Sequence, residues 1–454
     1  MFQTFRNAWK IKDLRKKILI TFFIIAIFCF GRAMPAPFVD AETISKNIQS
    51  EDAPASFEIL NLMTGGGFSQ ATLFALGATP YINASIIVQL LQVVIPALER
   101  WAKEGEEGRK KINALTKVVS VILSIGLSIV YFLLLRNNNA LQYPFPGTKG
   151  DASSDALFSA WFTCIVIVAT YTGGAMIIMW LADQIDGSGI GSGMSLIIFC
   201  GIISGFAQTF FQIGSYFQMA AGCFVDNYGA TSEARPWLWV TMPVIILLFI
   251  GMFLLIIVTN AAERRIPVQY AKRVVGRKMY GGQNTNIPIK VNMTGVLPVI
   301  FASSFLSLPS TIQDFFGISS GFWSTFLGWF NPQNWGYAVI YALLIVAFNY
   351  FYVTVQYNPV QMANDLRKNS GMIPGIRPGQ PTSLFISRVI SKITFIGGIF
   401  LVIIATLPIV VTKVTGINIA LGGTSLLIVV GVALEVSNTL ESYMLMRHHK
   451  GFLE

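Results

Sequence analysis

Apolar residues run through this chain in long blocks, not in the short periods of half-buried helices and strands. Residues 118–135, 157–182, 238–260, 291–313 and 336–357 contain no charged side chain. Each block is long enough to cross about 30 Å of hydrocarbon as a helix. Five more stretches are apolar but interrupted by charge, glycine or proline: 18–38, 73–98, 189–217, 393–411 and 421–440. The pattern predicts an all-α integral membrane protein with ten transmembrane helices. The first stretch is long, lacks a clean small-residue cleavage site and is broken by Pro35 and Pro37. It is therefore expected to remain as a span and not to be removed as a signal peptide.

Charge between the blocks fixes an expected orientation. With ten spans, both ends and the even loops share one side, and 26 of the 32 Lys and Arg fall there. They lie in 1–17, 100–117, 264–290, 367–392 and 447–450. The positive-inside rule places that side in the cytoplasm. The net charge of +10 is then mostly a topology signal. It also gives that face a positive field suited to anionic lipids, RNA or an acidic protein face. A 54% apolar, 12% charged composition excludes an ordinary soluble domain.

Candidate chemistry is sparse. Cys29, Cys164, Cys200 and Cys223 are scattered without metal-ligand spacing, and His448 and His449 read as solvated tail residues. No G-x-x-x-x-G-K-[ST] or H-E-x-x-H occurs. No cofactor, metal or catalytic site is expected.

Two short motifs repeat. GATPYINAS at 77–85 and GVLPVIFAS at 295–303 share G-x-x-P-x-I-x-A-S, 218 residues apart. GMSLII at 193–198 and GTSLLI at 423–428 share a second pattern, 230 residues apart. Each pair is separated by five spans, so the second half is expected upside down relative to the first, an inverted repeat. Pro80 and Pro298 each remove a helix hydrogen bond and are expected to bend or break their spans. The repeat matches Ile82 with Ile300 and Ile198 with Ile428. Four isoleucines at one depth could form a constriction that gates by dewetting, or they could be ordinary packing residues. Residues 61–74, with Gly65, Gly66 and Gly67 in a row, make a poor spanning helix. They read either as a short half-inserted helix or as a surface loop.

These residues resemble the SecY family of protein-conducting channels, in its bacterial branch. The resemblance is carried by NLMTGGGFSQATLFALGATPYINASIIVQLLQVVIPAL with KEGEEGRKK, and by the GIGSG turn with SLIIF. It continues through RRIPVQYAKRVVGRK with NIPIKVNMTGVLPVIFASS, then PGIRPG and GGTSLLIVV, in family order over 32–430. It implies two five-span halves, 18–217 and 237–442, forming a clamshell around a central pore. They would be joined by an exterior loop at 218–236 and flanked by cytoplasmic tails at 1–17 and 443–454.

The resemblance also assigns roles. A pore ring would fall on Ile82, Ile198, Ile300 and Ile428, with Ala78 and Met194 departing from the bulkier or β-branched residues common there. A plug helix at 62–73 would begin Leu62, Met63, Thr64, Gly65, Gly66, Gly67, Phe68. A lateral gate would lie between Ile86, Ile87 and Leu90 on one side and Ile300, Ser303 and Ser304 on the other. Cytoplasmic loops 261–292 and 358–391 would dock the SecA ATPase and the ribosome through Arg264, Arg265, Lys272, Arg273, Arg277, Lys278 and Arg377. Implied partners are the small subunits SecE and SecG, signal peptides, nascent chains and anionic lipids, with SecDF and YidC as accessories. The implied function is a passive channel in the bacterial inner membrane that moves secretory polypeptides and releases membrane helices into lipid. A secondary transporter would instead need polar groups at the repeat centres, where this chain has isoleucine.

Overall fold

The computed structural model describes residues 9, 11–41, 43–44, 66–137, 140–141, 154–221, 236–270, 273–275, 278–280, 284–316, 329–330, 334–417 and 422–448. The chain is mostly helical. In order the helices are α1 (Lys12–Ala33), α2 (Thr79–Val94), α3 (Pro96–Lys103), α4 (Glu106–Asn137), α5 (Ser154–Ser188) and α6 (Gly193–Ala220). They continue with α7 (Leu238–Ala261), α8 (Leu297–Phe316), α9 (Trp335–Gln356), α10 (Pro359–Lys368), α11 (Gln380–Thr415) and α12 (Gly423–His448). All ten apolar stretches of the sequence carry a helix. Among the described residues, seven helices are long and apolar enough to cross a membrane. The pair α2–α3, bent by 106°, makes an eighth if counted as one span. The other two are α1, with 22 residues, and α8, with 20.

Prolines set the breaks. Met34 and Ile95 each precede a proline and adopt extended backbone, with ψ of 120° and 113°. Proline clashes with an αR residue before it, so α1 and α2 end there. Asn358 caps α10: its side-chain oxygen accepts from the Val360 and Gln361 amides at 3.1 and 3.2 Å, with Pro359 in the first turn.

Two compact units emerge. One comprises Met1–Trp239, Ser304–Tyr337 and Asn418–Glu454; the other comprises Val240–Ser303 and Ala338–Ile417. In the first, α12 packs against α6, and α4 packs against α2 and α5. One of its cores gathers Ala36, Val39, Phe68, Tyr131, Leu135 and Tyr171. A second joins Leu14 of α1, Ile190 and Leu440 of α12, with Lys17 4.5 Å from the centre of the Tyr443 ring.

The second unit holds the departure from a wholly helical chain. The basic stretch expected as a loop is a sheet: β1 (Glu263–Tyr270) pairs antiparallel with β4 (Asn284–Lys290), and β5 (Gly371–Met372) adds to its other edge. A hairpin of β2 (Arg273–Val275) and β3 (Lys278–Tyr280) lies between β1 and β4 in the chain. The Val291 amide donates to the Ala262 carbonyl at 2.9 Å, in register with Glu263–Lys290. Antiparallel bonds alternate, so Arg264, Ile266 and Val268 face β4 through their main chain. Pro267 and Pro288 therefore sit where their missing N–H points away from the β1–β4 ladder. Ile266, Val268 and Ile289 bury one face of the sheet against Val353, Leu366, Ile386 and Ile390.

A buried polar network ties the lead-in of α8 to the same unit. The Thr294 hydroxyl donates to Asn349 Oδ1 at 2.7 Å, and Asn349 Nδ2 donates to the Thr394 carbonyl at 2.8 Å. All three residues are buried. Asn349→Leu deprives the Thr294 hydroxyl of its acceptor in an apolar surround. The expected cost is about 1–2 kcal/mol, read as a lower unfolding midpoint in detergent; an unchanged midpoint would show that the network adds nothing.

Candidate functional site

The two repeated motifs build the same local structure twice. Gly77 and Gly295 have φ of 54° and 65°, a left-handed conformation open to glycine. In each case a helix starts two residues later, at Thr79 and Leu297. The Ile82 amide donates to the Ala78 carbonyl at 3.0 Å and the Ile300 amide to the Val296 carbonyl at 3.2 Å, which are matching pairs. Pro80 and Pro298 therefore occupy the first helical turn, where no N–H is needed. The expectation that they bend or break a span is corrected: they help to start one. The second motif behaves alike. Gly193 and Gly423 open α6 and α12. The Leu196 amide bonds the Ser192 carbonyl at 3.0 Å and the Leu426 amide bonds the Gly422 carbonyl at 3.2 Å. Each isoleucine pair thus holds one helical position in two helices.

Of the expected ring residues, Ala78 is 9% exposed, Ile300 9% and Ile428 8%. Ile82, Met194 and Ile198 are half-buried. Ala78 and Ile198 line one small cavity, together with Phe28, Phe74, Gly77 and Arg32. Arg32 Nη1 donates to the Gly201 carbonyl at 3.1 Å. Ile428 lies on α12, which packs against α6, the helix that carries Met194 and Ile198. Ile300 belongs to the other compact unit.

The expected plug divides. Leu62, Met63, Thr64 and Gly65 lie outside the described residues. Gly66, Gly67 and Phe68 begin a run of turns through residue 78, so the described part is not the expected helix. Its backbone explains why: Gly66 and Ala71 have φ of 91° and 45°, values no right-handed helix contains. The segment bridges to the exit of α1 through Pro35 and Thr72. Gly174 of α5 lets the Leu73 carbonyl approach; a Cβ there would overlap that oxygen.

On the gate candidates, Ile86 and Leu90 of α2 are half-buried and Ile87 is exposed. On α8 the half-buried Ser303 donates to the Ile300 carbonyl at 2.8 Å, and Ser304 is buried. On the docking candidates, Arg264 and Arg265 are exposed on β1, and Arg265 pairs with Glu263 at 2.7 Å. Arg273 and Lys278 lie in β2 and β3, whereas Lys272 and Arg277 fall outside the described residues. Arg377 is exposed in a turn with Gly375 and Gly379 at φ of 82° and 107°, and its carbonyl accepts from Thr382 at 2.8 Å. The pairing of β5 with β1 joins the two basic segments, which sequence reasoning kept apart. The alternation Ile266, Val268 and Ile287, Ile289 was the available signal. Sequence reasoning gave neither Arg32 nor Tyr131 a role.

Comparison with known proteins places this geometry. The chain matches the SecY family over residues 72–437. It is 37% identical to a protein named protein translocase subunit SecY from Streptomyces scabiei, and 38% identical to one of the same name from Streptomyces coelicolor, each covering 100% of both chains. It is similar to a solved structure described as a protein conducting channel, with a TM-score of 0.60, 18% identity and coverage of 94% of this chain and 92% of that one. Sec61 in the canine ribosome-channel complex gives a TM-score of 0.58 at 17% identity, with the same coverage. Its sequence identity over full length and the span of the family match show that this chain belongs to the SecY family.

Proposed function

We propose that this chain is the pore-forming subunit of a protein translocase. Secretory polypeptides would cross the membrane through it, and apolar helices would leave it sideways into lipid. The observation that carries the reading is the paired helix starts, which give Ile82 and Ile300, and Ile198 and Ile428, equal positions in four helices. Two halves, 18–217 and 237–442, would use that symmetry to converge on one apolar ring. Isoleucine side chains offer no hydrogen-bond partner, so a narrow ring of them expels water and ions at rest. For the same reason it holds no passing sequence tightly. The names of the relatives and the fold of the solved channels support this reading.

The remaining roles follow in the same frame. Residues 62–73 would seal the resting pore. A signal sequence would part α2 from α8 and shift the channel toward its open state by preferring the open gate. The 26 basic residues on one side would face the cytoplasm of a bacterium, with both termini. The chain carries no phosphate-binding loop motif and would act as a conduit, not an enzyme. SecA or the ribosome would dock on the exposed arginines of β1 and on Arg377, whose fork suits both carboxylate and phosphate. SecE and SecG would complete the complex, with SecDF and YidC as accessories.

The ring is tested by crosslinking. The four native cysteines are replaced, one cysteine is placed at Ile300, and a precursor with its own cysteine is stalled midway. An Ile300–precursor disulfide is expected, and none from Ile250→Cys in α7, which is 56% exposed. No adduct at Ile82, Ile198, Ile300 or Ile428 would make the isoleucines packing residues. Docking is tested with Arg377→Glu. Because the side chain is exposed, stability should stay within about 0.5 kcal/mol. Motor binding should weaken by about tenfold or more, equal to about 1.4 kcal/mol; unchanged binding would remove Arg377 from the interface.

A further inference from the structure

Residues 66–73 are held at two points of different kinds. The first is main chain alone. The Leu73 amide donates to the Met34 carbonyl and the Ala36 amide to the Ala71 carbonyl, each at 2.9 Å, on either side of the Pro35–Thr72 bridge. The second is a side chain from a spanning helix. The Tyr131 hydroxyl of α4 donates to the Phe68 carbonyl at 2.7 Å in a buried site. The Phe68 ring tilts against Tyr131 with centroids 4.7 Å apart, and Tyr171 of α5 meets Tyr131 edge-on at 4.9 Å. Phe68, Tyr131 and Tyr171 are all buried. The hydroxyls of Ser69 and Thr72 bond instead to the Gly66 and Gly67 carbonyls, shaping the segment from within.

The geometry points to Tyr131 as a latch, a positioning residue whose phenol holds the Phe68 end of the segment closed, while the bridge at Pro35 and Thr72 serves as the hinge. The bridge uses backbone groups and survives any side-chain change. Among the described residues the latch is one side-chain bond in a buried, aromatic site. Opening it leaves the phenol unpaired and strips the Phe68 carbonyl of one donor, with the Ala71 amide at 3.2 Å remaining, which favours the closed state at rest. Gly66 and Gly67 precede the latch, so the end that swings contains the chain's least restricted backbone. A passing polypeptide would displace Phe68 without dismantling the strand-like pairing behind it. The latch rests on the reading of this segment as the resting seal.

Tyr131→Phe removes one oxygen and keeps the ring stack. In vesicles carrying the complete complex with its partner subunits, resting halide leak is expected to rise about tenfold, the equivalent of about 1.4 kcal/mol. Translocation of a precursor with an intact signal should stay unchanged, and the thermal midpoint should fall by no more than the loss of one buried hydrogen bond implies. Removal of residues 66–69 supplies the unsealed reference. If that deletion leaks while Tyr131→Phe stays at the parent level, the latch is overturned and the seal stands. If neither leaks, both are overturned. A lower midpoint with no added leak would make Tyr131 a core residue alone.

Discussion

Hydrocarbon offers no hydrogen-bond partner, and the rest of this structure follows from that constraint. Spanning segments must satisfy their backbone internally, hence the helices at all ten apolar stretches. The two long strands of the sheet fall in a basic stretch between α7 and α8, and its third strand lies between α10 and α11. The same constraint makes each buried polar contact matter. Asn349 finds partners on the lead-in of α8 and on α11, and Arg32 finds the Gly201 carbonyl. These bonds place helix ends more tightly than apolar packing can, because their alternatives are unpaired groups.

Non-helical backbone appears in the apolar part of the chain at residues 66–78, and there it is walled in by protein. Turn carbonyls at Gly66, Gly67 and Phe68 accept from Ser69, Thr72 and Tyr131, and the chain bridges to the exit of α1. Gly174 removes the Cβ that would otherwise collide with the Leu73 carbonyl. A glycine-rich segment is thus held firmly without becoming a helix.

Much of this was legible in the sequence, because long uncharged blocks admit little besides spanning helices. The first repeated motif also carried its structure openly: a glycine with positive φ, then a helix with proline in its first turn. What misled was treating proline as a breaker without asking where in the helix it stood. The resemblance implied a helix at 62–73, where the residues themselves left helix or loop open, but Gly66 and Ala71 adopt left-handed backbone. The sheet was hidden by its charge. Seven arginines and lysines fall in 264–290, and the alternating Ile266, Val268, Ile287 and Ile289 are few. Tyr131 gave no signal, since a lone tyrosine near the end of an apolar span is ordinary until its acceptor, the Phe68 carbonyl, is placed beside it.

The central claim is that a polypeptide crosses the membrane through this chain, driven by a docked partner. Protease protection tests it most directly. Sealed vesicles carry the chain with its partner subunits, and a labelled secretory precursor is added with the motor ATPase outside. The account predicts full-length, protease-resistant precursor inside, dependent on both ATP and a working signal sequence. A precursor that stays wholly digestible while the motor is bound and hydrolysing ATP would contradict it.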